Sequence, residues 1–186
     1  MTRFYLALLS AVLLLTCQEA SAQTCKPVAE RTGDVGCWII AHQSVGQLNK
    51  PETFWHLDVY ATGAEAEAAK TVGSLVVESL GKMWLLTIAD KGWRPPGGER
   101  IAEIGPLPIT AGQTYSAQYM EAIFTPGMTA PAHTHAGPEA WYTQAGETCL
   151  ETPDGKQIGR AGGPPVIVPG GPRCTLRQLE RSSAAL

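Results

Sequence analysis

Gly127-Met-Thr-Ala-Pro-Ala-His133-Thr-His135-Ala-Gly-Pro-Glu139, closed by Gly146, sets two imidazoles and a carboxylate in one short run just past a Pro-Gly turn. On a β-strand successive side chains point to opposite faces, so His133 and His135, at i and i+2, share a side. Glu139 returns to that side after the Gly137-Pro138 turn, and three ligands can then meet one ion. Two imidazoles and one carboxylate form a facial set that leaves coordination positions for water, dioxygen or a bidentate substrate. Of the four histidines in the chain, two fall here, a concentration that scattered surface histidines do not produce. The expected cofactor is one divalent metal ion, with iron, manganese and zinc all open. Each imidazole would bind neutral, its other ring nitrogen held by an acceptor.

The chain around this motif reads as all β. Short apolar or aromatic stretches recur with turn residues between them: 37–41, 54–60, 74–78, 83–89, 115–124, 139–145, 148–151 and 166–168. Gly81-Lys82 and Asp154-Gly155 have the chemistry of hairpin turns. One short helix is expected over 64–70, where Ala and Glu dominate. Gly92-Trp-Arg-Pro-Pro-Gly-Gly98 is expected as a long surface loop, because its prolines cannot donate to a ladder and its glycines favour turns. Trp141 and Thr143 fall on the face of Glu139 if that strand alternates cleanly, which makes Trp141 either a wall of the metal pocket or an ordinary core residue.

Gly127, His133, His135, Glu139 and Gly146 match the first motif of the cupin superfamily, G-x5-H-x-H-x3-E-x6-G, at every position. The second motif, G-x5-P-x-G-x2-H-x3-N, aligns as Gly163, Pro169 and Gly171, with Cys174 in place of the fourth metal ligand and Gln178 in place of Asn. The chain thus resembles a cupin over a core of about residues 115–178. Segments WHLD (55–58), GPLP (105–108), GPEAWY (137–142) and ETPDG (151–155) are similar to those of small exported bacterial cupin-domain proteins without an established reaction. The resemblance implies a cupin-type jelly-roll barrel with the ion inside, ligated from one strand by imidazoles and from the next by the carboxylate. A closed barrel also removes the exposed edges that so many strands would leave.

Cys174 divides the expected metal site. As a thiolate ligand it would add a fourth donor to His133, His135 and Glu139 and favour zinc, iron or copper over manganese. Paired with Cys149, or packed as a thiol, it leaves the three-residue set. The few residues after Gln178, with Arg181 and small Ser182 to Ala185, do not read as a core strand. The C-terminal edge of the barrel is then incomplete, or is completed by upstream strands or by a partner subunit, as in a homodimer.

Residues 1–22 have a cationic Arg3, an apolar run from Phe4 to Leu15 and the small-residue site Ala20-Ser21-Ala22, the succession of a secretory signal peptide cleaved after Ala22. Cys17 lacks the small residue expected before a lipidated cysteine. The expected mature chain is a single cupin domain, residues 23–186, located in the periplasm or secreted. It keeps Cys25, Cys37, Cys149 and Cys174, an even number in a compartment where disulfides persist. Cys25 and Cys37 are close enough to staple the N-terminal arm, although four cysteines allow three connectivities. No later stretch is long enough for a membrane span. The formal net charge of −3 and the lack of a Lys/Arg cluster argue against a nucleic-acid partner.

The expected partner is a small-molecule ligand. Three function classes follow: a metal-dependent enzyme, such as an oxidoreductase or isomerase acting on a small oxygenated or anionic molecule; a non-catalytic module binding a metal or small ligand; and a structural barrel. An enzyme needs a proton-moving group beside the ion. Apart from the ligands, Tyr119, Glu121 and Tyr142 are the candidates.

Overall fold

A computed structural model describes residues 25–171 and, as backbone, 175–178 and 183–185. The leader at 1–22, Cys17 and Cys174 lie outside the described residues. The strands are β1 (Lys26–Pro27), β2 (Gly36–Leu48), β3 (Thr53–Tyr60), β4 (Ser74–Ser79), β5 (Lys82–Asp90), β6 (Glu99–Ile104), β7 (Gln113–Phe124), β8 (Glu139–Trp141), β9 (Thr143–Ala145), β10 (Glu147–Thr152), β11 (Gly155–Arg160), β12 (Val166–Val168), β13 (Thr175–Gln178) and β14 (Ser183–Ala185). The helix α1 covers Gly63–Ala68. Thr62 caps it by accepting the Glu65 amide at 3.2 Å. The protein is all β, as expected. No helix among the described residues is long and apolar enough to cross a membrane.

Among the described residues the strands form sheets ordered β1-β2-β7-β14-β9, β4-β5-β3-β6, β11-β10-β13 and β12-β8, not closed into one hydrogen-bonded barrel. The β4–β5 hairpin turns through Leu80 and Gly81, with φ of 51° and 71°. Positive φ at both central residues gives the turn whose twist matches the strands, and glycine takes that conformation without strain. The second expected hairpin, at 152–155, joins β10 to β11.

Several elements differ from the sequence expectation. The single strand expected over 139–145 breaks at Tyr142: β8 pairs with β12 and β9 with β14. The C-terminal segment expected to form no strand contributes β14, which lies between β7 and β9. A strand paired on both edges is held by main-chain hydrogen bonds and needs no apolar run of its own. The edge strands β6 and β11, each paired on one side only, also escape a search for apolar alternation, because their sequences are polar and charged.

The core follows from β3, which is buried on both faces. Trp55 and Leu57 join Trp84, Leu86 and Ile104 of the four-stranded sheet against Tyr119 of β7. On the opposite face Tyr60 and Leu85 pack under Ala66 and Ala69 of α1. His56 and Asp58, both fully buried, share that second face. Arg100 links them, donating to Asp58 Oδ1 at 2.7 Å and to His56 Nδ1 at 2.9 Å, while Asp58 Oδ2 is buried with no hydrogen-bond partner. It also donates to Trp93 O at 2.8 Å. Tyr60 donates its hydroxyl to Pro96 O, and Glu103 accepts the Gly92 amide. The expected loop over 92–98 is therefore fastened to the sheet.

His56 Nε2 donates to Asp90 O at 3.0 Å while Nδ1 accepts from Arg100, a pattern that only the neutral imidazole makes. Burial, and then the Arg100 guanidinium, hold its pKa below the ordinary 6.5, opposed by the Asp90 carbonyl, Glu103 and Asp58. Below pH 6.5 the unfolded chain takes up a proton that the folded chain refuses. Stability contributed by neutral His56 is thus complete above pH 6.5 and declines as pH falls from there toward the lowered folded value. Thermal melts between pH 7.5 and 5.5 should show this decline in the wild type and a smaller one in His56→Gln.

The N-terminal arm is held at two points. Cys25 and Cys37 form a disulfide, the staple anticipated from their spacing. Beyond it the Arg31 guanidinium sits 4.2 Å from the centre of the Trp38 ring and pairs with the buried Glu121 carboxylate of β7. Ser79 of β4 donates to the other carboxylate oxygen at 2.5 Å. Removing the cation leaves a buried anion uncompensated. Arg31→Ala should therefore lower the unfolding free energy by on the order of 2–3 kcal/mol, allowing for the partial exposure of Arg31. Urea titration should show most of that loss recovered in the Arg31→Ala/Glu121→Gln double variant.

Candidate metal centre

His133 sits at an isolated bridge position and His135 in irregular chain, so the two do not occupy a continuous strand. Two prolines, Pro131 and Pro138, flank them; each lacks the donor that a ladder requires. Hydrogen bonding orients the rings instead. His133 Nδ1 donates to Pro131 O at 3.0 Å and His135 Nδ1 to Gly137 O at 2.5 Å. A backbone carbonyl on Nδ1 makes that nitrogen the donor, so Nε2 is the ring nitrogen left for other partners, the arrangement also found in metal-binding histidines.

His135 Nε2 stands 3.2 Å from Glu139 Oε2, and the His133 and His135 ring centres are 6.0 Å apart. The structure therefore brings His135 and Glu139 into direct contact and sets His133 beside them. No group of three His, Cys, Asp or Glu side chains converges to hold an ion among the described residues. Cys149 is a buried free thiol.

The glycine-proline frame of the second motif holds the first. Strand β12 pairs with β8 so that Val168 faces Glu139 and Val166 faces Trp141. The chain then turns at Pro169-Gly170-Gly171, and the Gly171 amide donates to His135 O at 2.7 Å. A β-carbon on Gly170 would lie 2.4 Å from Ala136 O and 2.9 Å from the Gly137 carbonyl carbon. Gly170 is thus required by close approach of two backbones, one of which carries the His135 acceptor.

His133, His135 and Glu139 line a cavity of about 570 Å³, within the usual range for small-molecule sites. Trp141 takes both of its expected roles: it lines this cavity and packs in a buried cluster with Leu150, Val166 and Val168. Cys25 and Cys37 also border the cavity, which places the arm's disulfide in its wall.

The three proton-transfer candidates are otherwise engaged. Glu121 is sealed under Arg31 and Ser79 and does not line the cavity. Tyr142 packs against the main core. Tyr119 lines the cavity, but its hydroxyl donates to Gln43 Oε1 at 3.2 Å and burial pushes its pKa far above the ordinary phenol value. It does not titrate near neutrality.

Sequence reasoning missed the buried His56, Asp58 and Arg100 cluster, the Arg31 to Glu121 pair and the Gly170 contact. Period-two alternation in Phe54-Trp-His-Leu-Asp58 put His56 and Asp58 on one face, but nothing in the sequence placed Arg100 opposite them. Compared with protein-family models and with curated proteins, the chain matches none.

Gly170→Ala should push the 135–137 backbone away from the 169–171 turn. Unfolding measurements should show a loss of about 1–3 kcal/mol. The His135 to Gly137 hydrogen bond should loosen with it, visible as a shifted ring resonance in histidine-selective NMR spectra.

Proposed function

We propose that this chain is an exported cupin-type metal protein. It holds one divalent ion between His135 and Glu139, takes His133 as a third ligand, and offers the remaining coordination positions to a small ligand in the adjoining cavity. The separation of His135 Nε2 and Glu139 Oε2, 3.2 Å, carries the reading. Two donors bound to one ion at about 2.1 Å, with an angle between octahedral and tetrahedral, lie roughly 3.0–3.4 Å apart. The Nδ1 hydrogen bonds of both histidines supply the outer support that such ligands need.

Cys174 is the fourth ligand in this reading. Its place in the second motif, three residues past the Gly171 that is tied to His135, supports that assignment; Cys174 itself lies outside the described residues. A jelly-roll barrel is the architecture we assign. Its support is the packing of β7 on the four-stranded sheet and the hold of the second-motif strand on the first. The Cys25 to Cys37 disulfide supports an oxidising location, periplasmic or secreted.

Ligand binding without catalysis is the role favoured, because Tyr119, Glu121 and Tyr142 are all committed to the fold. A metal-dependent oxidoreductase or isomerase is the second reading. It is favoured by the cavity that opens directly on the His135 and Glu139 pair, where a bound ion would supply Lewis-acid or redox chemistry.

Elemental analysis of the purified protein should find about one divalent ion per chain. His135→Ala and Glu139→Gln should each lose most of it, since the ligands that remain do not close a coordination sphere. Metal content unchanged in both variants would overturn the proposal.

A further inference from the structure

Resting on that reading of the site, we propose that the ligand is an apolar molecule with a single chelating head, of the aryl- or alkyl-substituted 2-hydroxy-acid type. The charged and metal-binding groups among the described lining residues are confined to His133, His135 and Glu139, at one place on the wall. Most of the remaining wall is apolar, including Trp55, Ile109, Phe124 and Met120, with Ser116, Gln118 and Thr134 as its neutral polar side chains. No Lys or Arg occurs among the described lining residues.

Two tyrosines line the cavity, and both have their hydroxyls occupied by the fold. Tyr119 donates to Gln43, and Tyr115 accepts the Thr110 amide at 2.7 Å. They offer ring surface to a ligand in place of polar handles. A second charge on the ligand body would meet no opposite charge there, and a row of hydroxyls would lie mostly against rings and apolar wall with only Ser116, Gln118 and Thr134 to meet them, which weakens binding. An apolar body gains by leaving water for the same surface. The head has one suitable place, the His135 and Glu139 corner, where a hydroxyl and a carboxylate oxygen can together occupy two open positions on an ion.

Calorimetric titration of the zinc-loaded, disulfide-intact protein tests this with three probes. Glycolate carries the head alone, mandelate adds a phenyl body, and gluconate replaces that body with a chain of hydroxyls. Mandelate should bind at least about tenfold more tightly than glycolate, and gluconate should gain nothing over glycolate. Ala117 lines the cavity and is not one of the proposed metal ligands. Ala117→Trp should fill the space and erase the mandelate advantage while zinc content is retained. The probe series on the unaltered chain decides the matter if that variant does not fold.

Mandelate no tighter than glycolate, or gluconate tighter than both, on a zinc-loaded chain would overturn this inference and leave the metal reading standing. Benzyl alcohol, which has the body without the head, separates the other failure. A chain that takes up no zinc yet binds benzyl alcohol, with binding abolished in Ala117→Trp, would overturn the metal reading while supporting the apolar cavity.

Discussion

The inner face of β7 is the constraint on which the rest of the molecule depends. Tyr119 on that face packs into the apolar cluster of the four-stranded sheet, and Glu121, two residues on, is buried beside it. A carboxylate in that position is tolerated only with its charge matched and its oxygens hydrogen-bonded. Ser79 meets one oxygen from the facing sheet and Arg31 the other from the N-terminal arm. One buried anion thereby ties together two sheets and the arm. The disulfide between Cys25 and Cys37 shortens the path by which Arg31 reaches it. Sheet, arm and facing sheet together form the walls of the cavity at whose edge His135 and Glu139 stand.

A second charged device works on the far side of the four-stranded sheet. There Arg100 links His56, Asp58 and the Trp93 carbonyl. It holds down a segment rich in Pro and Gly that has little apolar surface of its own to bury. The two devices follow one physical pattern: a guanidinium, with several donors in a fixed plane, joins elements distant in sequence by satisfying groups that would otherwise be buried unpaired. Neither includes His133, His135 or Glu139, yet both fix the frame around those residues. The mechanical support of the site lies closer by, in the pairing of β12 with β8 and the contact of Gly170 and Gly171 with residues 135–137.

The orientation of the two histidines shows how local chemistry and tertiary contact combine. Prolines at 131 and 138 deny the segment a regular ladder, so the chain cannot use strand geometry to aim the rings. Short-range bonds from Nδ1 to Pro131 O and Gly137 O do so instead, and they leave Nε2 of each ring for other partners. The Pro169 to Gly171 turn then holds the backbone that carries one of those carbonyls. A side chain at position 170 would part the two segments.

Much of this protein was determined by sequence alone. Alternation of apolar residues marked eight stretches that are strands, because a half-buried strand must alternate or run apolar to cover a core. Gly81 fell at its turn for a steric reason, and the close spacing of Cys25 and Cys37 pointed to the staple that forms. The short run from His133 to Glu139 identified the candidate ligands, since metal chemistry is written in residue type. What tertiary structure decided was everything that depends on groups far apart in the chain. The pairing of Arg31 with Glu121 and of Arg100 with Asp58, the break of 139–145 at Tyr142, and the strand at 183–185 arise from cross-chain hydrogen bonding, which leaves no periodic trace in either partner. The same holds for the functional candidates: Tyr119, Glu121 and Tyr142 have the right chemistry in sequence, and only the fold shows that Tyr119 and Glu121 are hydrogen-bonded elsewhere and that Tyr142 packs against the core.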